Sequence, residues 1–319
     1  MGGKQRKDMR VAVLAGGISD EREISFTSGR NVVSALEQAG YGEVEIVDPG
    51  AEGFLTKLAQ TGYDVAFVAL HGRGGEDGMI QDILEFLGIP YTGSNPLSSG
   101  CAVDKDLSKL LYARAGLPIA PGVSFTRDTM PSTKEIVEVV GQESFVKPVG
   151  NGSSYGISLV KDPSELPAAI EFAFRHGDKI MVERRVKGAE VSVGVLGHGK
   201  TLRALPVVEI CMPEQSEFYD LDVKYVDPKD IHRIPANLPE DVYAQVQDLA
   251  CKAHRALDCF GFSRTDLIVS PEGPVILETN NIPGMTPTSL FPDEAKHAGI
   301  PFSDVCAELI DLALERAAQ

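Results

Sequence analysis

Apolar residues along the chain fall into short runs divided by glycine and polar turns. Val11-Ala-Val-Leu-Ala15 is unbroken, as in a strand buried on both faces, and Gly16-Gly17 ends it. Ile24, Val32, Val33 and Leu36 then recur at helical spacing. Glu43-Val-Glu-Ile-Val47 and Val65-Ala-Phe-Val-Ala-Leu70 predict two further strands. Strand, glycine turn and helix make the unit of an open α/β sheet, which binds ligands at the carboxyl ends of its strands. Residues 79–100 predict a helix, a short strand near Tyr91 and a connection rich in Ser, Gly and Asn.

The pattern then changes. It predicts a helix over Asp104–Ala115, a strand at Gly122–Phe125 and a helix over 133–140. Strands follow at Ser144–Pro148 and Ile157–Val160, then a helix over Ser164–Phe174 and a strand at Ile180–Glu183. A new apolar run begins at Glu190, and Leu202–Cys211 reads as one more strand. Met212–Asn237 is a polar loop too long for an ordinary connection, and Tyr219 and Tyr225 within it favour a lid over disorder. A helix over Pro239–Leu257 leads to two strands around the turn Pro271-Glu-Gly273, and helices around 292–298 and 302–317 follow. Breaks near 100 and 188 divide the chain into expected units 1–100, 101–188 and 189–319.

A hydrophobic content of 43% and a charged content of 24% are ordinary for a globular protein, and 319 residues suffice for two or three cores. The net charge of −16 argues against a nucleic-acid backbone or an anionic membrane as main partner. No apolar run reaches the roughly 18 residues of a membrane span, and Val11–Ala15 is too short for a signal-peptide core. The five cysteines are scattered without a CxxC pair, which fits reduced thiols in the cytoplasm.

Candidate chemistry collects around the hairpin. Asp266, Glu278 and Asn280 stand at its strand ends, and alternation puts Glu278 and Asn280 on one face. Oxygen donors without His or Cys suit Mg²⁺ or Mn²⁺, and Mg²⁺ held by few carboxylates shares its shell with substrate phosphates. Arg264 lies on the side of Asp266 and is placed to stabilise a transferring phosphoryl group. A surface hairpin with ordinary charges fits the same residues. Lys147 ends a strand that feeds Val149-Gly-Asn-Gly152-Ser153-Ser154-Tyr-Gly156, a loop offering N–H and hydroxyl donors to phosphate, or else a flexible turn. It is not a Walker A loop. His71 opens a glycine-rich loop at a strand's carboxyl end, either as a ligand-binding residue or as a loop histidine with a single hydrogen bond. For Lys105 and Lys109 a solvated helix face is the ordinary reading.

Five segments, taken in order, resemble the ATP-grasp superfamily and, within it, the D-alanine–D-alanine ligase family. They are Gly16–Ser25, His71–Gly78, Gly152–Gly156, Phe218-Tyr-Asp through Lys224-Tyr225, and Glu278–Thr286. The resemblance implies an α/β ATP-grasp fold of three subdomains, an N-terminal open parallel sheet plus two α+β lobes clamping ATP. It implies Lys105, Lys147, Ser153 and Ser154 at the phosphates, Glu183 beside adenine and Glu190 on the ribose. Asp266, Glu278 and Asn280 match ligands of two Mg²⁺ ions. Glu21 and His71 match residues around the first D-alanine, and Lys224, Ser289 and Leu290 residues around the second. Tyr225 matches a lid residue bonded toward Ser153 and Glu21, and Arg264 and the Gly284 N–H match oxyanion stabilisers.

The implied reaction is ATP-dependent ligation of two D-alanines through an acyl phosphate, for peptidoglycan synthesis, by a cytoplasmic enzyme that is commonly a homodimer. The chain departs from the family at Gly150-Asn151 and at Tyr155, and Val226–Arg233 is not diagnostic. Two alternatives are a ligase for other amino acids and a nucleotide-binding relative without catalysis. The intact Glu21, His71 and Lys224-Tyr225 weigh against the first, and the intact Arg264 and metal ligands against the second.

Overall fold

The computed structural model describes residues 4–150, 156–211 and 231–319. Its first part comprises β1 (Arg10–Leu14), α1 (Arg22–Gln38), β2 (Glu43–Val47), α2 (Phe54–Gln60), β3 (Val65–Val68) and α3 (Met79–Leu87). The strands form a parallel sheet in the order β2-β1-β3, and Val11–Leu14 of the central strand are fully buried, as their unbroken apolar run requires. The strand expected near Tyr91 is a single parallel bridge to Ala66. The Ser/Gly/Asn-rich connection after it contains a helix, α4 (Pro96–Val103). Asn95 caps that helix by accepting from the Ser98 N–H at 2.8 Å, and Pro96 occupies the first turn, where no N–H is needed.

The second part comprises α5 (Lys105–Arg114), β4 (Gly122–Thr126), α6 (Thr133–Val140), β5 (Ser144–Pro148), β6 (Ser158–Val160), α7 (Leu166–Ala173) and β7 (Lys179–Arg184). Its antiparallel sheet runs β4-β7-β5-β6. Helices α6 and α7 bury Ile136, Val140, Leu166 and Ile170 against Phe125, Val146 and Val182 of that sheet.

The third part comprises β8 (Ala189–Gly197), β9 (Arg203–Ala204), β10 (Val208–Ile210), β11 (His232–Arg233), α8 (Glu240–Ala256), β12 (Gly261–Ser270), β13 (Gly273–Asn280), α9 (Leu290–His297) and α10 (Phe302–Ala317). The sheet order is β11-β10-β8-β12-β13, with β9 also on β8. The strand expected over Leu202–Cys211 is broken in two at Pro206, which has no N–H to give the ladder. The expected lid, 212–237, lies outside the described residues up to 230, and its last part forms the short β11.

Alternation along β8 decides where the site lies. Val191, Val193 and Val195 pack with Val246, Leu249 and Ala253 of α8. Ser192, Gly194 and Leu196 face the other way, where Leu196 joins Phe262 and Phe291. Helix α10 buries Val305, Leu309 and Ile310 in the same core as Val32 and Leu36 of α1, so the last helix packs on the first.

Candidate active site

The β12–β13 hairpin forms as expected, and its register sets Arg264 opposite Asn280 and Asp266 opposite Glu278. A shift in register follows between Asp266 and Leu267. On the other side, Gly194 and Ser192 of β8 are the register partners of Arg264 and Asp266. Cross-strand partners share a face, so one face of three strands gathers the polar groups.

Arg264 grips Asp266 with both arms of its guanidinium, Nε to Oδ1 at 3.0 Å and Nη2 to Oδ2 at 2.8 Å. The Ser192 hydroxyl donates to the same Oδ1 at 2.5 Å. Burial works against the charge on Arg264, but Asp266 outweighs it and holds the guanidinium above its usual pKa. Glu278 Oε2 lies 2.9 Å from Lys105 Nζ. The Asn280 side-chain oxygen accepts from the Ile282 N–H at 3.2 Å and turns the chain out of the strand.

The lysines of α5 do not form a solvated face. Lys105 and Lys109 are 6% and 7% exposed, because the helix lays this edge against β13 and the strand ends of the second sheet. Lys109 Nζ binds Glu183 Oε1 and donates to the Ile276 carbonyl at 3.0 Å. Lys147 Nζ takes the other oxygen, Glu183 Oε2, at 2.7 Å. Burial alone would raise the pKa of Glu183, yet the two lysines hold it below the usual carboxylate range. Lys147 is buried too, and Glu183 keeps its pKa above the ordinary lysine value. For Lys109 burial prevails and lowers it.

All of these side chains except Lys109 and Asn280 line one cavity of about 520 Å³. It collects Lys105, Lys147, Glu183, Glu190, Arg264, Asp266, Glu278 and Leu290, which the sequence spreads over nearly two hundred positions. Among the described residues no three His, Cys, Asp or Glu side chains converge on a metal position. The candidate set is therefore two carboxylates and one amide oxygen. Its all-oxygen chemistry fits a hard divalent cation that keeps open positions for phosphate.

A second cluster lies where the loop after β3 meets the loop after β13. His71 is buried, and its Nε2 lies 2.9 Å from Ser28 Oγ, which also accepts from the Met285 N–H at 3.3 Å. His71 Nδ1 is 3.7 Å from Glu76 Oε1. His71 makes the hydrogen bond expected of a loop histidine, and it does so at the carboxyl end of a buried strand. Glu21 precedes α1, and a Cβ on Gly72 would stand 2.9 Å from its Oε2, so its carboxylate lies over the His71 loop. Asn31 donates to the Met285 carbonyl at 2.8 Å and Asn281 to the Glu76 carbonyl at 3.1 Å. Ser289 Oγ accepts from the Thr286 N–H at 3.1 Å, and a Cβ on Gly284 would come within 2.7 Å of it. Ser153, Ser154, Lys224 and Tyr225 lie outside the described residues.

Four residues to which sequence reasoning gave no place in the site belong here. Ser192 stands two positions after Glu190 on one strand, and Lys109 four after Lys105 on one helix; both spacings were visible. Ser28 gave no signal, and neither did Glu294. Glu294 is 0% exposed, and neither carboxyl oxygen makes a well-formed hydrogen bond among the described residues, while the Gly194 N–H acts to favour its charged form. A Cβ on Gly194 would stand 2.2 Å from its Oε2, so Glu294 fills the place of a side chain beside Arg264.

The chain is similar to known proteins over almost all its length. The family profile described as D-ala D-ala ligase C-terminus matches residues 111–311, and that for the D-ala D-ala ligase N-terminus matches 50–94. A D-alanine–D-alanine ligase of Syntrophobacter fumaroxidans is 46% identical over 309 residues, covering 96% of this chain and 98% of that one. One from Citrifermentans bemidjiense is 42% identical, covering 97% and 98%. The crystal structure of a D-alanine–D-alanine ligase from Bacillus anthracis superposes with a TM-score of 0.85 at 32% identity, covering 97% of this chain and 99% of that one. The structure of that ligase complexed with ATP gives 0.82 at 29% identity, covering 97% and 98%.

Proposed function

This chain belongs to the D-alanine–D-alanine ligase family, an ATP-grasp enzyme that joins two D-alanines for cell-wall synthesis, and from that premise we propose how its own residues perform the ligation. The single observation that carries the assignment is the pairing inside the 520 Å³ cavity: Lys105 with Glu278, Arg264 with Asp266, and Lys147 with Glu183. Each cation is already held in place against a carboxylate, so a polyanion would meet it by exchange of partners, with Asp266 and Glu278 passing to the metal ions assigned to them below.

In this reading ATP lies in the cavity with Lys105 and Lys147 on its phosphates, Glu183 beside the adenine and Glu190 at the ribose. The carboxylate of one D-alanine is a poor acylating agent, since its leaving group would be oxide. Phosphorylation turns that leaving group into phosphate. Arg264 offsets the crowding of negative charge as carboxylate approaches triphosphate. Glu21 holds the ammonium group of the first D-alanine, with His71 beside it. Ser289 and Leu290 border the second D-alanine, whose amine attacks the acyl carbon. Arg264 and the Gly284 N–H then stabilise the tetrahedral oxyanion.

Asp266, Glu278 and Asn280 would hold Mg²⁺ or Mn²⁺, two ions per site, which when bound neutralise phosphate charge. The roles of Ser153, Ser154, Lys224 and Tyr225, with closure of 212–237, are supported by the sequence resemblance alone. A homodimer and a cytoplasmic location belong to the same proposal; among the described residues no helix is long and apolar enough to cross a membrane.

Mass spectrometry of products from ATP, Mg²⁺ and a mixture of D-amino and D-hydroxy acids tests the assignment. D-alanyl-D-alanine, ADP and phosphate are expected in equal amounts. Turnover of another substrate pair without that dipeptide would overturn it.

A further inference from the structure

Lys109 has no part in the reaction just described, yet it is buried and touches two separate elements. It binds Glu183 of β7 and donates to the Ile276 carbonyl of β13, two residues before Glu278. Glu183 is thus held by two lysines, one oxygen each. These lysines differ in what surrounds them. Lys147 lines the nucleotide cavity, whereas Lys109 is fixed below it by the β13 carbonyl.

When Lys147 turns to a phosphate it must leave Glu183. A buried carboxylate that loses its partner is costly, more so than a pair is beneficial. With Lys109 in place, Glu183 keeps a cation and a hydrogen bond throughout. We propose that Lys109 is a positioning residue for nucleotide binding: the permanent counter-ion of Glu183, which releases Lys147 to the phosphates of ATP and ties the Glu183 strand to the strand bearing Glu278. This inference rests on the reading of the cavity as the nucleotide site.

The test is calorimetric titration of ATP into the full chain without D-alanine, so that turnover plays no part. Lys109→Met keeps the length of the side chain and removes its charge. Its ATP dissociation constant should rise at least about tenfold, since breaking a buried pair costs more than the 1.4 kcal/mol a tenfold change represents. Lys109→Arg keeps the charge and should bind ATP far more tightly than Lys109→Met. The deciding variant is the double one, Lys109→Met with Glu183→Gln. With no carboxylate left to hold Lys147, Lys109→Met should cost little ATP affinity beyond that of Glu183→Gln alone, the reference that absorbs any loss of the adenine contact assigned to Glu183. In steady state, Lys109→Met should raise the KM for ATP and leave the KM for D-alanine near that of the parent.

A Lys109→Met that costs as much ATP affinity in the Glu183→Gln background as in the parent, or a Lys109→Arg as weak as Lys109→Met, would overturn the proposal and leave Lys109 a packing residue. A parent chain that binds no ATP would instead overturn the nucleotide reading of the cavity.

Discussion

Replacing Glu294 with methionine should make the protein more stable. Glu294 is fully buried, and neither carboxyl oxygen makes a well-formed hydrogen bond among the described residues. A buried polar group left unsatisfied costs about 1–3 kcal/mol, and methionine fills a similar volume without it. The charge makes the cost depend on pH. Burial raises the carboxyl well above its ordinary pKa, against the pull of Arg264 and of the Gly194 N–H. Between the unfolded and folded values the native state therefore holds a proton that the unfolded chain has shed. Stability from this group is fully present below the unfolded value and is lost as pH rises toward the folded one, by up to about 1.4 kcal/mol per pH unit. Glu294→Met has no such dependence. Its advantage should be smallest near pH 4.5 and grow toward pH 8. Thermal unfolding of both proteins at several pH values reads this directly, at roughly 2 °C or more for each kcal/mol in a chain of this size. A variant that loses stability at pH 8 would refute the reasoning, because it would mean that Glu294 is an ionised counter-ion of Arg264.

Three further outcomes follow from the site. Glu278→Gln removes charge but not volume and should abolish turnover while the unfolding temperature stays near that of the parent; activity near that of the parent with Mg²⁺ as the only metal would sink the metal assignment. Arg264→Lys keeps a positive charge but cannot span both oxygens of Asp266, so kcat should fall by about 10²–10³, the usual loss for one oxyanion donor, with a smaller change in KM. Gly194→Ala puts a methyl group 2.2 Å from Glu294 Oε2 and 2.9 Å from atoms of Leu205 and Phe291, and should cost about 1–3 kcal/mol in denaturant unfolding.

The hairpin was legible because apolar alternation, a Pro-Glu-Gly turn and the positions of Asp266 and Glu278 all lie within twenty residues. Local pattern also found β1, α1 and α8. It failed at α4, where a Ser- and Gly-rich composition masked the Asn95-Pro96 start signal. It failed differently at Lys105 and Lys109. Periodicity put them on one face of α5, but a pattern names the face and not what it meets. Their partners, Glu183 and Glu278, come from strands far along the chain. Glu294 was out of reach for the same reason, since its local sequence, Pro-Asp-Glu-Ala-Lys-His, reads as an ordinary solvated turn of helix. Ser289 and Leu290 were placed only by resemblance, and the structure sets them at the start of α9, with Ser289 beside Gly284.

The packing of α10 on α1 has a consequence for synthesis on the ribosome. Val32 and Leu36 share their core with Val305, Leu309 and Ile310, so the first hundred residues emerge with part of their apolar surface uncovered. About two hundred more residues must be translated before the covering helix exists, on the order of 10–40 s at usual elongation rates. Through that interval the nascent N-terminal sheet is a substrate for chaperones. Nascent chains halted before Phe302 should bind them more strongly than chains released with α10 complete.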